Sequence, residues 1–134
     1  MYKNLVARRA CALAVTSFFF SFPFSAQAQT APVAPPVKAA FVYVAPLTDA
    51  GWVRQHDQGR KAVEAALSGK VQTTFVENVA EGPDAERVIR DLAQQGHQII
   101  FTPSFGYMEP TLKVAREFPD VKFESITGYK TAPN

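Results

Sequence analysis

The stretch Thr48–Ala62, TDAGWVRQHDQGRKA, brings Asp49, Gly51, Trp52 and His56 together, and these include the chain's only tryptophan and one of its two histidines. A second group, TPSFGYME at Thr102–Glu109, sets Ser104, Phe105 and Tyr107 around Gly106. Aromatic faces stack on planar ligands. Carboxylate and hydroxyl oxygens bond a ligand's polar edge. Together these types suit holding a flat polar molecule. They do not suit transforming one, because Asp49 and His56 lack a third partner and no nucleophile is paired with a base. The phosphate-cradling glycine motifs and the G-x-S-x-G elbow are absent from the sequence. His56 has no second ligand at metal spacing, so neither a metal nor a cofactor is expected.

Each of these residues also has a plainer reading. Asp49, at or beside a helix N-cap, can simply cap. Trp52 and His56 can be core residues, the histidine hydrogen-bonded. Ser104 can cap the next helix or bond a ligand, and Phe105 and Tyr107 can pack. His97 stands at the opposite end of its strand and takes no role.

The elements that must position these residues follow from pattern. KAAFVYVAP is a continuous apolar run ended by Pro46, which predicts a strand buried on both faces. A helix is expected from about Trp52 to Ser68-Gly69, with Trp52, His56, Gly59, Val63, Ala66 and Leu67 facing in. Gly59 on that face would let the helix approach the sheet. VQTTFVENV reads as a second strand. GPDAERVIRDLAQQG reads as a second helix, with Val88, Ile89, Leu92 and Ala93 inward, Gly96 as its stop, and Glu86–Arg90 paired outside. HQIIFTPS, MEPTLKVAREFPD and VKFESITG supply strand, helix and strand. The fold class is therefore α/β, a parallel sheet with helices on both faces. Ligands of such sheets sit outside the carboxyl ends of the strands where strand order reverses, which points to the loops PLTDAGW and TPSFGYME.

Ahead of this pattern, residues 1–28 read as a cleavable secretory signal. Lys3, Arg8 and Arg9 form a basic start, Ala10–Phe24 an apolar core, and Ala26-Gln27-Ala28 a small-x-small cleavage site. The apolar core is shorter than the roughly 20 residues of a membrane span. Cys11 precedes the phenylalanines, the wrong place for a lipoprotein cysteine, and would leave with the signal. Disulfides and thiol chemistry leave with it. The net charge of +2 also comes from this segment, which holds three basic residues and no acidic ones. The remainder is close to neutral, and no basic stripe suggests nucleic acid. Residues 29–38 form an Ala/Pro-rich, extended leader, and the folded domain is expected over 39–134.

The segments AFVYVAPLTDAGWVRQHDQGRKAVE and FVENVAEGPDAERVIRDLAQQGHQIIFTPSFGYMEPTLKVAREFPDVKFESITGYKTAPN resemble the basic membrane protein family. These are solute-binding proteins of ABC importers, similar to purine-nucleoside receptors. D-x-G-W at Asp49–Trp52 and S-F-G-Y-x-E-P at Ser104–Pro110 make the resemblance specific, and it extends from about Ala39 to Asn134. It implies the flavodoxin-like N-terminal lobe of a type I periplasmic binding protein, holding a purine base or nucleoside in an interlobe cleft. By position, Asp49 would be the polar contact and Trp52 and Phe105 the ring contacts, with Ser104 and Tyr107 lining the cleft and His56 a weaker candidate. It also implies an inner-membrane ABC permease as partner and a monomeric periplasmic receptor. Family members are two-lobed and much longer, so this chain is expected to be a truncated lobe whose fourth strand exposes an apolar edge. A ligand-binding sensory domain and a small α/β enzyme acting on a nucleoside are the competing classes.

Overall fold

The computed structural model describes residues 34–134. The signal segment, Cys11 and the start of the Ala/Pro-rich leader lie outside the described residues. The fold is built on β1 (Val37–Val42), which begins two residues before the expected Ala39. It pairs in parallel on both edges, with β2 (Val71–Val76) on one side and β3 (Ile99–Phe101) on the other. Its first two residues, Val37 and Lys38, are exposed, but where it is flanked on both edges and covered on both faces it must be apolar, and Ala39 to Tyr43 are all buried. β4 (Lys122–Glu124) pairs with β3, giving the order β2-β1-β3-β4.

Right-handed crossovers decide where the helices go. The step from β1 to β2 runs one way across the sheet, and the steps from β2 to β3 and β3 to β4 run the other way. Hence α1 (Trp52–Ala66) lies on one face, and α2 (Pro83–Gln94) and α3 (Met108–Glu117) lie on the other. The larger core is on the two-helix side. Ala85, Ile89, Leu92 and Ala93 of α2 and Val114 of α3 pack over Ala40, Val42 and Ile100. Tyr107, wholly buried in that core, donates its hydroxyl to the Val79 carbonyl at 2.6 Å. Arg90 of α2 makes a two-pronged pair with Glu117 of α3 at 2.8 and 2.9 Å and also binds Glu86, as its i,i+4 spacing predicts.

On the α1 side, two expectations are corrected. The apolar stripe of α1 does not face the sheet: Trp52, Val63 and Leu67 are exposed. The buried face is one position along, at Val53, Asp57 and Arg60. Gly59 is exposed as well, with open space where a Cβ would stand, so it permits no close approach. Hydrophobic periodicity misleads here because the inward residues are charged and neutralise one another. Arg60 contacts Asp57 at 2.7 Å and Thr73 of β2 at 2.7 Å, and its guanidinium lies 4.8 Å from the Phe75 ring centroid. Lys61 closes on the other Asp57 oxygen at 2.9 Å. Burial raises the Asp57 pKa, but the hydrogen bonds from Lys61 and Arg60 outweigh it and the net direction is down. Burial, aided by the Asp57 charge, pushes the neighbouring Tyr43 phenol up to about 12.

The outer edge also differs from expectation. β4 is three residues long, with Lys122 and Glu124 exposed and only Phe123 half-buried. A short, charged edge resists adventitious strand pairing better than the apolar edge expected.

Asp57→Ala takes the nearer carboxylate from the buried Arg60 guanidinium, leaving Glu64 at 3.4 Å, and is expected to lower the unfolding free energy by about 2–4 kcal/mol. The double change Asp57→Leu with Arg60→Leu should recover most of that loss, and denaturant titration checks both. Because the folded Asp57 pKa is depressed, its contribution is complete above the unfolded carboxylate value of about 4 and is lost as pH falls through the lower folded value. Asp57→Asn should flatten that acid limb. Tyr107→Phe removes the hydroxyl bonded to Val79 O and should cost about 1–3 kcal/mol in the same assay.

Candidate functional site

Strand order reverses between β1 and β3, since β1 leads outward to β2 and the chain then returns to the other side of β1. The loops leaving these two strands diverge to opposite faces and open a crevice at the carboxyl edge. Both predicted loops occupy it, and they are joined directly. The indole Nε1–H of Trp52 donates to the Pro103 carbonyl at 2.6 Å. Trp52 is thereby held by one edge while half of its surface remains in solvent.

His56, one helical turn on, meets the Trp52 ring edge-on at 4.5 Å between centroids. Desolvation lowers its pKa, so the imidazole is neutral at pH 7 and keeps one donor and one acceptor nitrogen. His56 is half-buried beside the tryptophan and is not a core residue against the sheet.

Asp49 is exposed and is not the N-cap of α1. That position is Gly51, whose φ of 93° lies in the left-handed region natural to glycine, and no side chain caps the helix. Of the two roles open to Asp49, the capping one is thus excluded, and its carboxylate stands free of any cap bond. Thr48 donates its hydroxyl to Ala50 O at 2.8 Å within the same turn.

The second loop divides its residues. Phe105, in a single turn of 3₁₀ helix at Phe105–Tyr107, is 61% exposed. Ser104 precedes that turn, and its hydroxyl does not cap it. The hydroxyl instead donates to Glu81 Oε1 at 2.5 Å. Tyr107 does not line the crevice, being committed to the core through Val79, and this corrects its expected role. His97 is buried away from the site, with Nδ1 donating to Leu92 O at 2.9 Å.

Sequence reasoning missed the loop after β2. Its two glutamates hold the other loops in place. Glu77 Oε2 accepts from the backbone N–H of Leu47 at 2.5 Å. Glu81 Oε1 accepts from Gly106 N at 3.1 Å as well as from Ser104. Gly106 makes this possible, because a Cβ there would lie 2.1 Å from the Glu81 carboxyl carbon. The available signal was the position of ENVAEG directly after a predicted strand, at the same sheet edge. The edge itself is open. A hollow of about 420 Å³ runs from the carboxyl end of β4 and the Ser125–Gly128 turn along α3 to Asn134, and one of about 450 Å³ lies between α3 and Thr131–Asn134; neither is lined by Trp52 or Phe105. Among the described residues, no group of His, Cys, Asp and Glu could hold a metal, and no helix is long and apolar enough to cross a membrane.

Comparison with known proteins matches this arrangement to relatives. The chain is 61% identical over 98 residues to a protein of Brucella abortus named as purine-binding, an alignment covering 73% of this chain and 28% of that one. It is 42% identical, again over 98 residues, to TsgA13 of Haloferax volcanii, provisionally named an ABC transporter glucose-binding protein, with 73% and 25% covered. The chain thus spans about a quarter of the length of the curated relatives it matches. Among solved structures, an ABC transporter solute-binding protein from Conexibacter woesei superposes with a TM-score of 0.61 at 27% identity, over 66% of this chain and 29% of that one. A transcriptional activator of the comK gene from Bacillus halodurans gives 0.59 at 25% identity, over 72% and 31%. The family model for PnrA-like substrate-binding proteins of ABC transporters matches residues 36–134, and the chain belongs to that family, Bmp.

Proposed function

We propose that this chain supplies one wall of the ligand cleft of an extracytoplasmic solute receptor for an ABC importer, and that the ligand is a purine base or nucleoside. The observation that carries the reading is the Trp52–Pro103 bond, which fixes a half-exposed indole across the strand-order reversal. A ring held at its N–H edge offers its face to a ligand without losing much side-chain freedom on binding. Phe105 adds a second exposed ring, and Asp49 a free carboxylate suited to the N–H groups or hydroxyls of a nucleoside. Neutral His56 backs the indole and can give or take one hydrogen bond. Ser104 serves through its bond to Glu81, and its oxygen lone pairs remain available.

The names of relatives pull in two directions, one towards purine and one towards glucose. The purine reading has the higher identity behind it, and two aromatic rings suit a flat heterocycle. An inner-membrane permease as partner, delivery to the periplasm through the signal segment and a monomeric state belong to the same proposal. A second reading, a ligand-sensing regulatory domain, is supported by the likeness to a transcriptional activator. The same cleft would serve it, with a signalling partner in place of a permease. The relatives carry binding or regulatory names, and the loops hold no convergent acid, base and nucleophile, so an enzyme is the least supported class.

Calorimetric titration with adenine, adenosine, ribose and glucose tests the ligand class. Saturable binding of the purines, at least tenfold tighter than either sugar, is the expected result; tighter binding of glucose overturns the purine assignment. Trp52→Ala and Phe105→Ala should each weaken purine binding roughly 5- to 100-fold, the range of one lost base–aromatic stack. Glu81→Ala should weaken it less, by releasing the Phe105 turn, whereas Glu81→Gln keeps an acceptor oxygen and should stay near wild type.

A further inference from the structure

The chain leaves β4 through a tight turn at Ser125–Gly128, closed by Gly128 N donating to Ser125 O at 3.3 Å. A Cβ at Gly128 would stand 2.6 Å from Ser125 Oγ and 3.2 Å from Met108, so the turn is packed against the start of α3. Past it, Lys130 pairs with Glu109 in the first turn of α3. Asn134 Nδ2 faces the carbonyls of Ala115, Phe118 and Val121 at 2.9, 3.0 and 3.1 Å, capping the helix end. Tyr129 stands between these anchors.

Its backbone is fixed on both sides, yet its side chain is 74% exposed, the most exposed large apolar group among the described residues. The ring it meets is that of Phe105, itself 61% exposed, at 6.3 Å between centroids and 33° between planes. At that separation and tilt neither ring covers the other. A flat ring between two others needs about 7–8 Å, two van der Waals contacts of about 3.5–4.0 Å each. Opening the pair by about 1 Å therefore makes a slot of that width. Two anchored loops present two largely exposed, mutually tilted rings at the same sheet edge as Trp52.

We infer that Tyr129 is a ligand contact, closing with Phe105 on the flat face of a heteroaromatic ligand. This rests on the purine-receptor reading and adds to it a residue from a fourth loop, the one leaving β4. Stacking carries the contact and the phenol oxygen is dispensable.

The test is calorimetric titration of the chain with adenosine and adenine, comparing wild type, Trp52→Ala, Tyr129→Ala and Tyr129→Phe, with circular dichroism to verify folding. Expected are a loss of tenfold or more for Tyr129→Ala and a change within about twofold for Tyr129→Phe. Wild-type affinity in Tyr129→Ala, alongside weakened Trp52→Ala, overturns the assignment of Tyr129 and leaves the receptor reading standing. Equal losses in Tyr129→Ala and Tyr129→Phe overturn the stacking role in favour of a hydroxyl bond. Absence of binding by folded wild type with both adenosine and adenine defeats the purine reading and this inference with it.

Discussion

From Ala39 on, β1 is buried on both faces and flanked by β2 and β3, so the backbone and side-chain groups of that stretch must be satisfied inside the protein. Only an apolar strand meets that demand. Once it does, the chain must leave β1 on one side and return on the other. Right-handed crossovers then send α1 to one face and α2 and α3 to the opposite face. The divergence of the loops after β1 and β3 is a consequence of this, and so is the crevice between them. The candidate site exists because the central strand is paired twice.

The two faces of the sheet are held by different physics. α2 and α3 are attached by an aliphatic core around Ile89, Ile100 and Val114, where burial of each large side chain contributes about 1.5–3 kcal/mol. α1 is attached by Val53, packed with Phe41 and Tyr43, and by Arg60 and Glu64 reaching Thr73 and Phe75 of β2, with Asp57 pairing Arg60 within the helix. A buried ion pair adds little net stability over an apolar pair of the same volume, but it tolerates neither partner's loss. The bonds of Arg60 and Glu64 to Thr73 then fix one rotational setting of the helix against β2. That setting turns Trp52 and His56 away from the sheet, towards the loop edge. An apolar face in the same place would have drawn the tryptophan inward.

At the carboxyl edge the loops hold one another. Trp52 reaches Pro103, Glu77 reaches Leu47, and Glu81 reaches Ser104 and Gly106. All but the Ser104 bond end on backbone groups, so they hold the shape of the loops directly. Gly106 is essential to this arrangement, since any Cβ there would displace the Glu81 carboxylate. Phe105 and Tyr129 project from that framework largely exposed, 6.3 Å apart between ring centroids. The edge is a firm scaffold under exposed rings, the arrangement expected of a pre-organised binding wall.

The order of strands and helices, the parallel sheet, the inward face of α2 and the two loops at the crevice were legible in the sequence, because apolar runs and helical periodicity report burial directly. The family resemblance rested on D-x-G-W and S-F-G-Y-x-E-P, and the family match bears it out. Four matters were decided only by tertiary structure. The phase of α1 depends on a charge pair that pattern scores as outward. The burial of Tyr107 depends on a carbonyl 28 residues away in sequence. Asp49 is left uncapping because Gly51 takes the cap position. The contacts of Glu81 with Ser104 and Gly106, and of Tyr129 with Phe105, join loops far apart in the chain. Local sequence determines which segments are strands and helices, since that is a matter of each segment's own periodicity. Which exposed side chains face one another at the carboxyl edge is set by strand order and crossover hand, and neither is written in any one segment.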